Sequence, residues 1–307
     1  MDKNPLILDA DESAFFEAEL KYVQARVFEV QHKTLKALSI LTVNNDAPSG
    51  SETIEYRYFD GVGVAKIVAD YATDFPRVDV YGKAQTAKVR SVGDSYGYSI
   101  KEIRRAQMTG TRLEQRRAMY ARRAIDEILD SIAWKGDSEY GLQGLINYPG
   151  ITEYTVAVGA SSSKAWSTKT AREKIKDVTG LLTAVVELTN GKAFCDTLIL
   201  PISQYNLIAY EPLGDEGSKT TLQFIKENFP NLTLVDWVAE LKGAGANGTD
   251  RMMAFNRSAD KVDFQMPQLF EQFPAQQKGL EFVVLCHAET AGTIVYFPQE
   301  VVFGDGI

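Results

Sequence analysis

Apolar positions follow two different spacings along the chain, and the change between them marks out its parts. From Thr111 to Lys135 no Gly or Pro interrupts a helical run. Leu113, Arg117, Tyr120, Ala124, Ile128 and Ile132 recur at three- and four-residue steps and share one face. Ala121, Ile125 and Leu129 widen that face into a stripe able to pack on a core. At about 1.5 Å per residue the run predicts a rod of roughly 37 Å, long for a globular helix. Thr109 or Thr111 is placed to cap its start and Gly136 to stop it.

Residues 51–100 carry the period of a strand instead. Ile54, Tyr56 and Tyr58 alternate with Glu55 and Arg57, and Ala87, Val89 and Ser91 with Lys88, Arg90 and Val92. Tyr96, Tyr98 and Ile100 continue as a third strand. The segment Gly61 to Lys83 lies between the first two, which predicts a long two-stranded ribbon with an insertion at its tip. Such a ribbon is marginal alone and needs a partner surface, on its own chain or another.

Upstream, residues 1–10 read as extended around Pro5. A short amphipathic helix then starts at Asp11 or Ser13 and carries Phe15, Phe16, Leu20 and Val23. Phe15 and Phe16 so early in the chain call for a packing surface, on their own core or on a neighbouring subunit. The serine run Ser161–Ser163 reads as an exposed connection and a boundary. From Thr168 the pattern is α/β-like. Helices are predicted over Lys169–Leu188, Ile202–Tyr210 and Thr221–Phe229, and strands over Phe194–Leu200, Leu232–Trp237 and Met252–Asn256. Leu280–His287 and Thr293–Phe303 close the chain as two strands joined at Ala291-Gly292. The whole is an α+β chain.

Composition narrows the chemistry. At 307 residues, with 45% hydrophobic and 24% charged content, the chain suits one large or two moderate packed domains. It has no 18-residue apolar run, so no membrane span is expected. Its N-terminus has acids where a signal peptide has bases, so the expected compartment is the cytoplasm. Cys195 and Cys286 are the only cysteines and are expected as buried free thiols. With two histidines besides, there is little from which to build a metal or haem site, and no cofactor is expected. The net charge of -8 repels nucleic acid overall, leaving DNA only weak, local contact.

The charges on the long helix are segregated. Arg112, Arg116, Arg117, Arg122 and Arg123 lie in its first half, with Arg104 and Arg105 upstream, and Asp126, Glu127 and Asp130 lie in its second. The helix dipole favours the reverse. The arginines form either a solvated face or a surface for an oppositely charged partner. Asp126 and Asp130, one turn apart, suit intrahelical pairing with Arg122 and Arg123 better than acid–base catalysis. Asp70, Asp74 and Asp79, in the ribbon insertion, are solvated or face arginines on a neighbour. Gly243 to Gly248 matches GxGxxG but lacks the helix that must follow, so it reads as a loop tip. There is no phosphate loop and no GxSxG elbow. No catalytic site emerges, and the chain does not read as an enzyme. The alternative is an α/β enzyme with an unrecognised site in 194–256.

The order of parts carries more. An arm and short helix precede a ribbon, then a basic spine helix, then Trp134-Lys135-Gly136-Asp137, Gly141 and Gly144-Leu145-Ile146-Asn147. An α/β region with Leu198-Ile199-Leu200-Pro201 and Tyr205 follows, then a returning β segment. This order resembles the major capsid protein of tailed bacteriophages, a fold also used by encapsulin shells. The resemblance implies an N-terminal arm and helix (1–50), an extended ribbon or E-loop (51–100) and a peripheral domain (101–165) with the spine at 111–135. It further implies an axial domain (166–280), containing loop 243–248 near the ring centre, and a C-terminal segment (281–307) returning to the peripheral domain. The implied function is a structural subunit that self-assembles through pentamers and hexamers into an icosahedral head around double-stranded DNA. An encapsulin-type compartment shell is the alternative within the same fold. The implied partners are further copies of the chain, a separate scaffolding protein, a portal and decoration proteins. The implied location is the virion capsid, assembled in the bacterial host cytoplasm. Many relatives begin with a scaffolding region; this chain begins almost at the arm, which is why a separate scaffolding protein, or none, is expected.

Overall fold

The computed structural model describes residues 33–62, 79–109, 116–214 and 219–307. Leu35–Ile307 forms one compact unit, and of Met1–Thr34 only the last two residues are described. The expectations for Phe15, Phe16, Asp70, Asp74 and Arg112 therefore lie outside the described residues, as does the cap at Thr111.

In chain order, a short helix α1 (Ala37–Ile40) leads to strand β1 (Thr42–Asn44). The ribbon is β2 (Thr53–Val62) against β3 (Asp79–Lys88), antiparallel from Thr53↔Lys88 to Val62↔Asp79. Its second strand is thus 79–88, earlier than the alternation at 87–92 predicts. Val89 turns the chain out of the ribbon into β4 (Arg90–Ser99). An unpredicted helix α2 (Ile100–Thr109) replaces the end of the third predicted strand. Ser99 and Glu102 start it: Ser99 N–H donates to the Glu102 carboxylate at 2.9 Å, and Glu102 N–H to Ser99 Oγ at 3.1 Å. This is a capping box.

The spine α3 spans Arg116–Lys135. Its buried side carries Ala121, Ile125, Leu129 and Ile132, while Tyr120 and Ile128 are exposed. The buried arc is therefore shifted from the predicted face toward Asp130 and Trp134, which both turn inward. Gly136 ends the helix with a φ of 68°, a value that favours glycine. The chain folds back so that Leu145 and Ile146 N–H donate to the Ala133 and Trp134 carbonyls. Gly144 lies so close that an added Cβ would stand 2.2 Å from Gly136 N. This return contains β5 (Gly136–Asp137) and β6 (Leu142–Gln143), and β7 (Thr152–Thr155) follows.

Helix α4 (Ala171–Leu188) begins at a second capping box, Thr170 with Glu173, and stops at Asn190 and Gly191, both with positive φ. Then come β8 (Thr197–Leu200), α5 (Ile202–Tyr210), α6 (Thr221–Asn228), β9 (Leu234–Trp237) and β10 (Arg251–Phe255). Strands β11 (Val262–Gln265), β12 (Gln268–Gln272) and β13 (Gln276–Lys278) were not legible as strands. The end of the chain is β14 (Glu281–Thr290), β15 (Gly292–Val295) and β16 (Val302–Asp305). The predicted strand 293–303 is thus two strands. Pro298 lacks a donor and sits in a 3-10 turn, Pro298–Glu300, that carries the chain from one sheet to another.

One sheet has the order β1-β11-β15-β6-β5, and a second β7-β16-β10-β8-β9. In the third, β14 is central, with β4 along one edge and β12 and β13 along the other. The second sheet separates two hydrophobic clusters. Along β10, Met253 and Phe255 join the cluster around the spine, while Met252 and Ala254 join the cluster under α4. Ile199 and Phe303 face the first cluster, and Leu198, Leu200 and Val302 the second. A sheet buried on both faces requires the unbroken apolar runs seen at 198–200 and 252–255.

Candidate assembly surfaces

The arginines of the spine divide by what they touch. Arg117, half-buried, donates to both oxygens of Glu102, at 2.9 and 3.3 Å, and to the Gly97 carbonyl. Its guanidinium also lies 4.9 Å from the Tyr98 ring centroid. The Arg117 contact and the Ser99 amide hold the Glu102 carboxyl at about 2. Arg117 therefore clamps the spine to the β4–α2 junction within its own chain. Arg122 lies 3.8 Å from Asp126 and over the Phe270 ring, and Arg123 pairs with Glu127 at 2.8 Å. Asp126 thus takes the expected intrahelical pairing, with burial raising its carboxyl above the ordinary range. Asp130 departs from it. It is 1% exposed, and its Oδ1 accepts the N–H of Lys36 at 2.9 Å and of Ala37 at 2.8 Å, capping α1. Periodicity alone did not show this, because the partner is 93 residues away in sequence.

The outward side of the helices carries apolar side chains. Met119 is 64% exposed on α3 and Met108 83% exposed on α2, with Tyr120 and Ile128 also exposed. Arg104 and Arg105 on α2 are exposed near them in sequence. Apolar side chains bordered by cations suit contact with another protein surface.

The ribbon is gripped at its root by aromatics. Tyr56 of β2 stands edge-on to Tyr296 at 5.5 Å and to Tyr58 at 5.6 Å, and Tyr58 meets Phe297 at 6.4 Å. Tyr56 Oη donates to Gln85 Oε1 across the ribbon at 2.9 Å and lies 3.4 Å from Tyr148 Oη. A cleft of about 850 Å³ opens beside these rings, walled by Tyr58, Tyr148, Leu188, Lys192 and Phe297. Asp79 lies opposite Val62 at the far end of the described ribbon. The alternation of Tyr56 and Tyr58 signalled the strand, but no local pattern signalled that Tyr148 and Tyr296 would receive it.

Loop 243–248 is pinned by carboxylates of its own chain. Gly243 N–H donates to Asp250 Oδ1 and Ala246 N–H to Asp305 Oδ2, each at 2.8 Å. Asp305 is in turn held by Arg251, Nε to Oδ1 at 2.7 Å and Nη2 to Oδ2 at 2.8 Å. The amides that would cradle a phosphate face these acids, and a strand follows rather than a helix, so the GxGxxG match does not build a dinucleotide site. Both cysteines are buried and free, and burial pushes the Cys195 thiol up to about 12. Among the described residues no group of three His, Cys, Asp or Glu is arranged to hold a metal ion. Among them too, no helix is long and apolar enough to cross a membrane.

Residues 63–307 match the family model described as major capsid protein. No curated protein matches the chain. Among solved structures, the capsid of Myoviridae phage XM1 is 17% identical, with a TM-score of 0.78 over 94% of this chain and 98% of that one. The structure from Mycobacterium phage Bobi is 15% identical, with a TM-score of 0.63 over 96% and 98%. The virus-like particle from Pyrococcus furiosus is 14% identical, with a TM-score of 0.57 over 87% and 91%. At such identities the likeness establishes the fold. Because the family match covers most of the chain, this protein belongs to the major capsid protein family, and its role is that of a structural shell subunit.

Proposed function

We propose that the chain builds the head of a tailed bacteriophage, closing through pentamers and hexamers into an icosahedral shell around double-stranded DNA. The observation that carries this reading is the ribbon. Among the described residues its strands pair only with each other, and its root is held by rings of the body. At about 3.4 Å per residue such a ribbon reaches roughly 30 Å, more than a two-stranded hairpin can stabilise in water. A neighbouring copy supplies the missing surface, and a repeated head-to-tail contact closes rings.

The role is structural and not enzymatic. Three carboxylates of the 194–256 region serve the fold: Asp196 accepts from Arg257 N–H, Asp236 from Lys36, and Asp250 from Gly243 and Gln204. Assembly takes place in the host cytoplasm with a separate scaffolding protein and a portal, and decoration proteins bind the finished shell. With a net charge of -8, packaged DNA is touched weakly and without sequence preference.

Light scattering and negative-stain imaging of the purified protein, alone and with co-expressed scaffold, test this. Closed particles tens of nanometres across are expected. Deleting Gly61–Lys83 leaves a soluble subunit that forms no closed shell. Normal shells from that deletion would refute the bridging role of the ribbon.

A further inference from the structure

At the foot of the ribbon a buried carboxylate gathers three donors on one oxygen and leaves the other empty. Asp263, in β11, has no exposed surface. Its Oδ2 accepts Gln265 Nε2 at 2.7 Å, Asn44 Nδ2 of β1 at 3.0 Å and Tyr296 Oη at 3.0 Å. Its Oδ1 is buried without a hydrogen-bond partner. Tyr296 is the residue that meets Tyr56 of the ribbon edge-on, and Tyr56 in turn bonds Gln85 on the other ribbon strand. A line of contacts therefore runs from one carboxylate to both strands of the ribbon.

The surroundings oppose the charge. Asp46, just beyond β1, adds a second negative charge facing Asp263. Lys261, two residues away, is engaged elsewhere, 3.0 Å from Glu300 and over the Phe297 ring. Across β15 the paired residue is the apolar Ile294. Among the described residues, the further titratable groups that act on Tyr56 and Tyr296 are the phenols of Tyr58 and Tyr148. Burial pushes the Asp263 carboxyl up to about 6, against the pull of its three donors.

We propose that Asp263 is a proton-operated latch that sets how firmly the ribbon root is held. Ionised, it draws Tyr296 onto the sheet by a charge-assisted bond, and Tyr296 braces Tyr56. A proton taken from solvent goes to the empty Oδ1. The bonds to Oδ2 then lose their charge assistance, and the new O–H finds no acceptor in place. Turning Tyr296 Oη to accept it relieves that and releases the brace on Tyr56. Acidification thus loosens the ribbon at its root. The device belongs to the subunit and does not depend on the phage reading; only its consequence for shell assembly does.

Hydrogen exchange of the full 307-residue chain, read by mass spectrometry and corrected for intrinsic rates, tests it. Peptides over 53–62 and 79–88 are expected to exchange severalfold faster at about pH 5 than at about pH 7.5, with α4 peptides unchanged. Asp263→Asn exchanges at the fast rate at both values. Tyr296→Phe keeps the carboxyl but loses the link, and is also fast and insensitive to pH. Equal corrected rates for the unmodified chain at the two values overturn the proposal. So does a pH step of full size in either variant.

Discussion

Arg251 ties β10 to β16 and to the chain return after the spine, and replacing it with Met makes a quantitative test. The guanidinium makes a two-toothed bond to Asp305 at 2.7 and 2.8 Å, and its Nη1 donates to the Ile146 carbonyl at 2.6 Å. It also lies 4.2 Å from the Phe303 ring centroid. The two charged side chains are only 10% and 16% exposed. Arg251→Met keeps most of the stem volume and removes the fork. Asp305 then keeps the Ala246 amide but loses its counter-charge, and the Ile146 carbonyl loses its donor. One-sided removal from a buried pair costs about 3–5 kcal/mol. With a slope near ~3 kcal/mol per molar urea, the unfolding midpoint of dissociated subunits should fall by roughly 1 M or more. Asp305→Asn alone should lose a comparable amount. The double variant should lose much less than the sum, because neither partner is left as an unpaired charge. Midpoints within about 0.3 M of the unmodified chain, or strictly additive losses, would refute the reasoning.

Further outcomes follow from neighbouring contacts. Asp263 gains a proton between its ordinary value of 3.8 and about 6 in the folded chain, so the folded state binds more protons there than the unfolded one. Its contribution to stability is fully present below 3.8 and falls as pH rises through about 6, so Asp263→Asn should flatten this slope. At neutral pH the variant should gain on the order of 1–3 kcal/mol, seen as a raised melting temperature. Gly144→Ala should abolish soluble expression, because its Cβ would meet Gly136 N, Lys135 C and Trp134 O at 2.2 to 2.6 Å, all backbone. Arg117→Glu should destabilise the isolated subunit by setting a like charge on Glu102. Arg122→Glu, at a side chain 65% exposed, should leave its melting within a few tenths of a kcal/mol, so any loss of shells reports an intermolecular contact.

How much of this was legible in the sequence depends on how local the cause is. The ribbon, the spine, α4 and α5 follow from periodicity and from local stops such as Gly136 and Asn190-Gly191. Helix α2 was equally legible, since Ser99-Ile-Lys-Glu102 is a capping box, but the tyrosine alternation before it suggested that the strand ran on. Strands β11 to β13 escaped because their surroundings, not their side-chain alternation, define them: β11 is buried on both faces, and β13 is exposed throughout. The face of the spine was misjudged for a related reason. Tyr120 and Ile128 fit the helical stripe as well as Ile125 and Leu129 do, and only the positions of α1 and the sheets decide which arc is covered. Asp130, Arg251 and Asp263 were wholly illegible as sites, since each takes its meaning from partners far away in sequence.

The same contacts change how the segregated charge of the spine is understood. Its basic half opposes the helix dipole, and a partner subunit was one way to account for that. The subunit already supplies part of the answer. Glu102, brought in by α2, lies against Arg117, the rings of Tyr98 and Phe270 cover Arg117 and Arg122, and Glu127 takes Arg123. Each such contact reduces the charge a neighbour has to meet. Beside the exposed Arg104, Arg105 and Arg122, the helices offer outward the apolar Met108, Met119, Tyr120 and Ile128. A contact built on these side chains gains from surface removed from water and weakens little as salt rises, unlike one built on exposed arginines. Shell formation that persists at high salt but fails when Met119 and Ile128 are both changed to Ser would place the spine contact on this strip. Dissociation by salt alone would return it to the arginines.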